Sequence, residues 1–432
     1  MRGLQGVRVI VLDDQSEEAL PVLKALAKKG ISAAFYDADP DGFPQNQLTG
    51  VRLAILDMDL LGSGGTDKNM ASAVLGCVKG ILSPENGPYI LLAWTMHPEV
   101  VAQVEDYVFK DDQIPKPIFS LDLTKDQCKD EQGNITLSAV SEKINQKLSE
   151  FSPLFFLQQW ERNCFLAATD VTNHLSGLAE LKTGDRKEFA DHWKKELLQL
   201  LHALGQTHAG KNLIPENCLS SICEAMGPLY ADRMESYVSD PSSFSIDPGE
   251  VLATSSDFNQ SAKGRINSMY HLALRVSHLF GPGNLYLFAN HEVPQWMSST
   301  QSIFEDIAQP GHEEALQRTS FMILVEIGPN CDHAQQNIRL ARFIPGILLP
   351  EGNANKIKKN AEFLWSKRPF FIDKPPIMSG DYLICLSARH FITTDLQTAG
   401  KMVPYARLRS QILTDLQTWF ARHASRPGML LL

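Results

Sequence analysis

Short, nearly unbroken apolar runs alternate with amphipathic stretches through residues 1–125, and this alternation leaves few architectures open. The runs are VRVIVLDD (7–14), SAAFYDA (32–38), VRLAILDMD (51–59), YILLAWT (89–95) and QIPKPIF (113–119). A short apolar run without polar alternation reads as a strand buried on both faces. Strands of that kind, separated by helices, belong to a parallel sheet covered on both sides. The first intervening stretch, EEALPVLKALAKKG, repeats Leu20, Leu23 and Ala27 at helical spacing, and Gly30 closes the helix. The fold class predicted for this region is α/β.

The pattern changes twice downstream. DLTKDQCKDEQGN (122–134) is polar and turn-rich and reads as a linker. Residues 138–282 carry leucines and aromatics at three- and four-residue spacing and read as mainly helical. Residues 284–400 hold TSFMILVEIG (319–328), RFIPGILLP (342–350), RPFFID (368–373) and GDYLICLS (380–387). These short runs, bounded by Gly and Pro, predict a small β-rich, barrel-like domain. Residues 401–432 form a C-terminal helix and tail, the helix spanning 404–426 with Pro404 at its start.

Bulk properties narrow the function classes. A formal net charge of -10 over 432 residues argues against a general nucleic-acid or anionic-membrane binder. No apolar run reaches the ~18 residues of a membrane span. The opening MRGLQGVRVIVLDD reads as a strand, not a signal peptide, because acids interrupt the apolar stretch at once. Seven cysteines, an odd and scattered set, point to reduced thiols and a cytoplasmic protein.

In the N-terminal region the polar residues of interest fall at predicted strand ends. Asp13 and Asp14 end the first run, Asp57 the third and Thr95 the fourth, while Lys116 and Pro117 lie in the fifth. In an open parallel sheet the carboxyl ends of the strands form the ligand crevice, so these side chains are expected to converge. A carboxylate can attack a phosphoryl group and form an aspartyl phosphate. Three acids together need a counter-charge, and Mg²⁺ takes hard oxygen ligands of this kind. Lys116 would add a positive charge for a phosphoryl oxygen and Thr95 a hydroxyl donor. Each residue alone carries little weight, since a strand-end Asp is more often a helix cap. The conjunction, in this order, carries the inference.

This set resembles the response-regulator receiver family of two-component systems, a flavodoxin-like (βα)5 fold. The resemblance covers residues 1–125, and the intervals are 44 from Asp13 to Asp57, 38 from Asp57 to Thr95 and 21 from Thr95 to Lys116. It implies that Asp57 is phosphorylated by a sensor histidine kinase. It implies also that Asp13, Asp14, Asp57 and the backbone carbonyl of Asp59 hold Mg²⁺, and that Thr95 and Lys116 bind phosphoryl oxygens. Gln113 stands three residues before the lysine, where receivers often carry a switch aromatic. Asp59 and His97 stand two residues past Asp57 and Thr95, where side chains influence the water that attacks an acyl phosphate. In layout the whole chain is similar to the receiver-bearing, effector-less component of Detocs-type bacterial defensive two-component systems. That similarity implies a phosphate buffer, whose further partner would be a receiver–effector protein of the same system. Two other readings stay open: a phosphorylation-switched effector or binding module in the distal regions, and a pseudo-receiver used for protein contacts.

Elsewhere, IGPNCDHAQQN (327–337) places Cys331, Asp332, His333 and Gln335 directly after a strand. Neighbours in sequence seldom point at each other, and no CxxC or HxxxH partner completes a metal set, so this reads as a tight polar turn. Cys218 and Cys223 are spaced too loosely to nominate. His174, in TNHLSGLAEL, reads as a surface histidine on a helix.

Overall fold

A computed structural model of the chain describes residues 6–60, 66–95, 98–124, 152–179, 185–210, 213–238, 248–253, 260–274, 280–289, 300–334, 337–359, 363–367 and 369–424, with isolated positions between them. The chain divides into two compact units, residues 1–163 with 240–251, and 164–239 with 252–432.

The first unit is built on a parallel sheet of β1 (Val9–Leu12), β2 (Ala33–Tyr36), β3 (Leu53–Leu56), β4 (Ile90–Trp94) and β5 (Phe119–Leu123), in the order β2-β1-β3-β4-β5. That order is the flavodoxin-like one. Helix α1 (Ser16–Lys28) follows β1 and ends on Gly30, whose φ of 71° suits glycine. Helices α2 (Asp67–Ile81) and α3 (Pro98–Lys110) follow β3 and β4. Alternate strand residues face opposite sides, and both sides are buried. Ile10, Leu12, Ala54, Leu56, Leu91 and Ala93 pack against Val74 and Val78 of α2 and Val100 and Val104 of α3. Val9, Val11, Ile55, Leu92 and Leu121 pack against Val22 and Leu26 of α1 and against Leu154. Leu154 begins α4 (Ser152–Leu178), whose Glu161 takes a two-point ion pair from Arg52, at 2.8 and 3.0 Å.

The fold departs from five regular strand–helix repeats between β2 and β3. That connection holds a 3₁₀ turn, Pro40–Gly42, N-capped by Asp39, in place of a helix. It then pairs with the end of α2, through Leu48 N–H to Ile81 O (2.8 Å) and Ser83 N–H to Leu48 O (2.9 Å). Gly80 makes room for the ring of Phe43, since a Cβ there would lie 2.5 Å from it.

The fifth strand is also displaced from its predicted place. It spans Phe119–Leu123, not 113–119, and so takes in Asp122 and Leu123 from the stretch read as linker. Pro115 and Pro117 lack the N–H groups a ladder needs, whereas FSLDL alternates, with Leu121 and Leu123 buried and Asp122 exposed.

In the second unit, α5 (Arg186–Ala209) and α6 (Pro215–Val238) form an antiparallel hairpin beside the latter half of α4. Trp193 Nε1 donates to Ser176 (3.2 Å), and the hydroxyl of Tyr237 donates to Asp170. His174 lies exposed on α4, as the sequence suggests. Helix α7 (Gln260–His271) leads into a nine-stranded antiparallel sheet: β6 (Leu272–Ala273), β7 (Asn284–Phe288), β8 (Phe321–Glu326), β9 (Leu340–Pro350), β10 (Leu364–Ser366), β11 (Phe370–Ile372), β12 (Gly380–Ser387), β13 (Ile392–Asp395) and β14 (Ala406–Leu408). The main path runs β10-β12-β9-β8-β7-β14-β6, with β11 on β12 and β13 on β9. The path is open, with ends at β10 and β6, so the barrel-like expectation holds as a half-barrel and not as a closed barrel. Its strands also come from either side of 284–400. Helix α8 (Thr300–Ile307) and helix α9 (Glu313–Thr319) cover one face. The other face is covered by a C-terminal helix that runs over Ser410–Ala424, because Ala406–Leu408 is a strand and not the helix's first turn. A one-turn helix, α10 (Asn330–Ala334), follows β8, and we number the C-terminal helix α11.

Candidate functional site

Three acids meet where β1 and β3 end. Asp13 N–H continues the ladder to Tyr36 O (3.2 Å) and Asp57 N–H to Leu12 O (2.8 Å), which places both side chains at the carboxyl edge of the sheet. Asp13 and Asp57 are buried, at 2% and 6% exposure, and Asp14 is more open. One carboxylate oxygen from each of the three lies within 4.8 Å of the other two. Asp13 accepts from Gln15 N–H (2.9 Å) and Asp57 from Asp59 N–H (3.2 Å), turns that hold both carboxylates in place. Thr95 follows β4, is fully buried, and donates its N–H to Leu123 O (3.2 Å), so it stands on the same edge.

Gathering three carboxylates on a partly buried edge is unfavourable unless a cation or a proton offsets their repulsion. The donor set, all hard oxygens, is of the kind that holds a metal ion.

Lys116 is not part of this edge. It precedes β5, and the parallel pairing of Ile90 with Phe119 puts it at the amino end of the sheet. Its ammonium donates to Val108 O (2.8 Å) and Asp111 O (2.6 Å), capping the end of α3, and lies 3.8 Å from Asp112. The segment is held there by Ile118 N–H to Tyr89 O (2.9 Å) and by the buried Tyr89 hydroxyl, which donates to Pro115 O (2.9 Å). Burial pushes the Tyr89 phenol well above its ordinary range. A lysine at a helix C-terminus is favoured by the carbonyls and the dipole it meets. Gln113 lies in the same turn, its N–H on Asp111 Oδ1 (2.8 Å), so it too is remote from the acids. His97 lies outside the described residues.

In the second unit, the turn read at 327–337 is α10. Cys331 is exposed, 3.8 Å from Asp332 Oδ1. His333 turns inward instead, its Nε2 2.9 Å from Oε2 of Glu326, a fully buried carboxylate at the end of β8. Glu326 escaped the sequence reading, although a lone acid closing the run FMILVE was its signal. The described cysteines are free thiols, and no helix among the described residues is long and apolar enough to cross a membrane.

The chain is thus an α/β protein with a flavodoxin-like parallel sheet and a carboxylate cluster at its carboxyl edge. Compared with known proteins, it matches no family model and no curated protein.

Proposed function

We propose that the first unit is a phosphoryl-accepting receiver and that Asp57 is the acceptor. The observation that carries this is the convergence of Asp13, Asp14 and Asp57 within 4.8 Å at the carboxyl edge of a β2-β1-β3-β4-β5 sheet, with Thr95 on the same edge. A carboxylate oxygen of Asp57 attacks the phosphorus of a phosphohistidine on a sensor kinase. The P–O bond forms as the P–N bond breaks, and the imidazole leaves. Thr95 offers its hydroxyl to an equatorial oxygen. Mg²⁺, held by Asp13, Asp14 and Asp57 and the carbonyl of Asp59, supplies charge neutralisation when bound. Lys116 has no role in this reading.

The layout resemblance extends the reading to a phosphate buffer of a Detocs-type defensive system, in which water then hydrolyses the aspartyl phosphate and drains the signal. A second reading is a binding module in the distal unit switched by phosphorylation. It is favoured by a cavity of about 570 Å³ there.

The test is phosphoryl uptake by the full chain from acetyl phosphate and from a co-encoded histidine kinase, followed by intact mass. Wild type is expected to gain one phosphoryl group with Mg²⁺ and none with EDTA or as Asp57→Asn. Rapid phosphate release with no change in the distal unit supports the buffer. A stable adduct that alters ligand binding supports the switch. Absence of uptake from both donors overturns the acceptor assignment.

A further inference from the structure

The distal unit holds a second donor set, which the phosphoryl chemistry does not use. Glu326 closes β8 with its side chain fully buried, and His333 of α10 meets it with a side chain 7% exposed. Oε2 of the acid and Nε2 of the ring lie 2.9 Å apart. That distance allows a hydrogen bond, yet their angles exclude one, and each atom is buried without a hydrogen-bonding partner among the described residues. Two buried polar atoms left facing each other in this way are unfavourable in a dry interior. A cation between them would accept a lone pair from each.

The surroundings hold this arrangement in place and leave room beside it. A Cβ on Gly328 would lie 2.6 Å from Glu326 Oε1 and 3.0 Å from His333 Nε2, so glycine keeps that space open. Gly328 N–H donates to Glu326 Oε1 (3.0 Å), which fixes the carboxylate and leaves Oε2 as its donor atom. Phe280 packs on the His333 ring at 5.1 Å between centroids. Gln417 of α11 donates to the carbonyls of Ile327 and Gly328, at 3.0 and 3.2 Å. Outer contacts of this kind orient the ligands of a metal ion. His333 also lines a cavity of about 570 Å³, and the other imidazole on that cavity's wall is His208, at the end of α5. Helices α5 and α10 are in contact.

We propose that Glu326, His333 and His208 form a site for a divalent transition-metal ion of the zinc class. Glu326 Oε2 and His333 Nε2 are its preformed half. His208 turns in from the cavity wall as the third donor, and cavity water takes the fourth position. Imidazole nitrogens with a carboxylate oxygen suit zinc, whereas the all-oxygen edge of the first unit suits magnesium. The donors come from α5, β8 and α10, so no short motif announces them. The inference does not depend on the phosphoryl site.

The experiment is calorimetric titration of the full chain, stripped of metal by a chelator, with ZnCl₂ in excess Mg²⁺, which occupies the acidic edge of the first unit. Wild type is expected to bind one equivalent of Zn²⁺ saturably and to melt at a higher temperature when loaded. His208→Ala, at a half-buried wall position, should melt like metal-free wild type and bind Zn²⁺ about tenfold more weakly or worse. Glu326→Gln keeps the shape of the acid and removes its charge, and should not bind. His208→Ala decides the question even where Glu326→Gln fails to fold. Cys331→Ser and Asp57→Asn should bind Zn²⁺ as wild type does. Absence of saturable binding by wild type, undiminished binding by His208→Ala, or loss of binding in Cys331→Ser overturns the proposal.

Discussion

The two sheets of this protein are buried on both faces, yet they assemble chemistry in different ways. In the parallel sheet every strand ends on the same edge. Residues that follow β1, β3 and β4 therefore meet there without further instruction, and Asp13, Asp57 and Thr95 do so. In the antiparallel sheet successive strands end on opposite edges, so strand-end residues scatter. Its polar cluster is instead drawn from helices and a turn far apart in sequence: His208, Glu216 and Ser221 against His333. Direction of pairing decides whether a site can be read along the chain or has to be found in space.

The sharpest way to break the comparison is at Gly346, in the middle of β9. A Cβ there would sit 2.0 Å from Cys385 O and 2.8 Å from Leu386 Cα, both backbone atoms of β12. Gly346→Val should cost the antiparallel sheet about 3 kcal/mol or more. In urea denaturation of the full chain the transition of this unit should fall to lower urea, while Mg²⁺-dependent phosphoryl uptake persists above that lowered transition. Simultaneous loss of both would mean the two units do not unfold separately.

A smaller effect sharpens the account of the parallel sheet. Lys116→Met removes two hydrogen bonds from the end of α3 and should lower stability by about 1–2 kcal/mol, with phosphoryl uptake unchanged. If Lys116→Met abolished uptake in protein that remained folded, its placement at the amino edge would be wrong.

The smallest effect expected is at Asp415 of α11, which accepts from Trp365 Nε1 (3.0 Å) and pairs with Lys367 Nζ (2.7 Å). Partial burial pushes its carboxyl up, but the contacts to Lys367 and Trp365 outweigh it and hold the value below the ordinary 3.8. A depressed carboxylate adds stability that is complete above that ordinary value and is lost as pH falls through the folded one. The stability gap between wild type and Asp415→Asn, followed by tryptophan fluorescence, should therefore be constant near neutrality and close below about pH 3.8. A gap that persisted at pH 2 would show that packing, not charge, sets the contribution of this residue.

The apolar runs at 7–14, 32–38, 51–59 and 89–95 each contain an observed strand, and the acids at their ends fall where strand-end reasoning puts them. Apolar content alone points to 113–119 for the fifth strand, while the two prolines and the alternation of FSLDL point past it, to Phe119–Leu123. The helix expected between β2 and β3 is absent because that connection satisfies its backbone against the end of α2, a contact with no local signature. In the distal region, FMILVE looks like the parallel strands upstream. It is buried on both faces for the same reason, but its neighbours are reached by antiparallel connections and no shared edge forms.

What the sequence determined by itself is local: strands buried on two faces, the helix that ends at Gly30, and the order of Asp13, Asp57 and Thr95 along a parallel unit, where one direction of pairing turns sequence order into proximity. Only the tertiary structure decided what depends on distant partners. Lys116 caps α3 because Tyr89 and Pro115 hold its segment at the amino edge, Glu326 carries His333 because β8 ends beneath α10, and the cavity beside Ser221 forms because α5 packs against a turn more than a hundred residues further on. Periodicity reports which face of an element is buried. It does not report which other element buries it, and here that second fact places the lysine and forms the cavity.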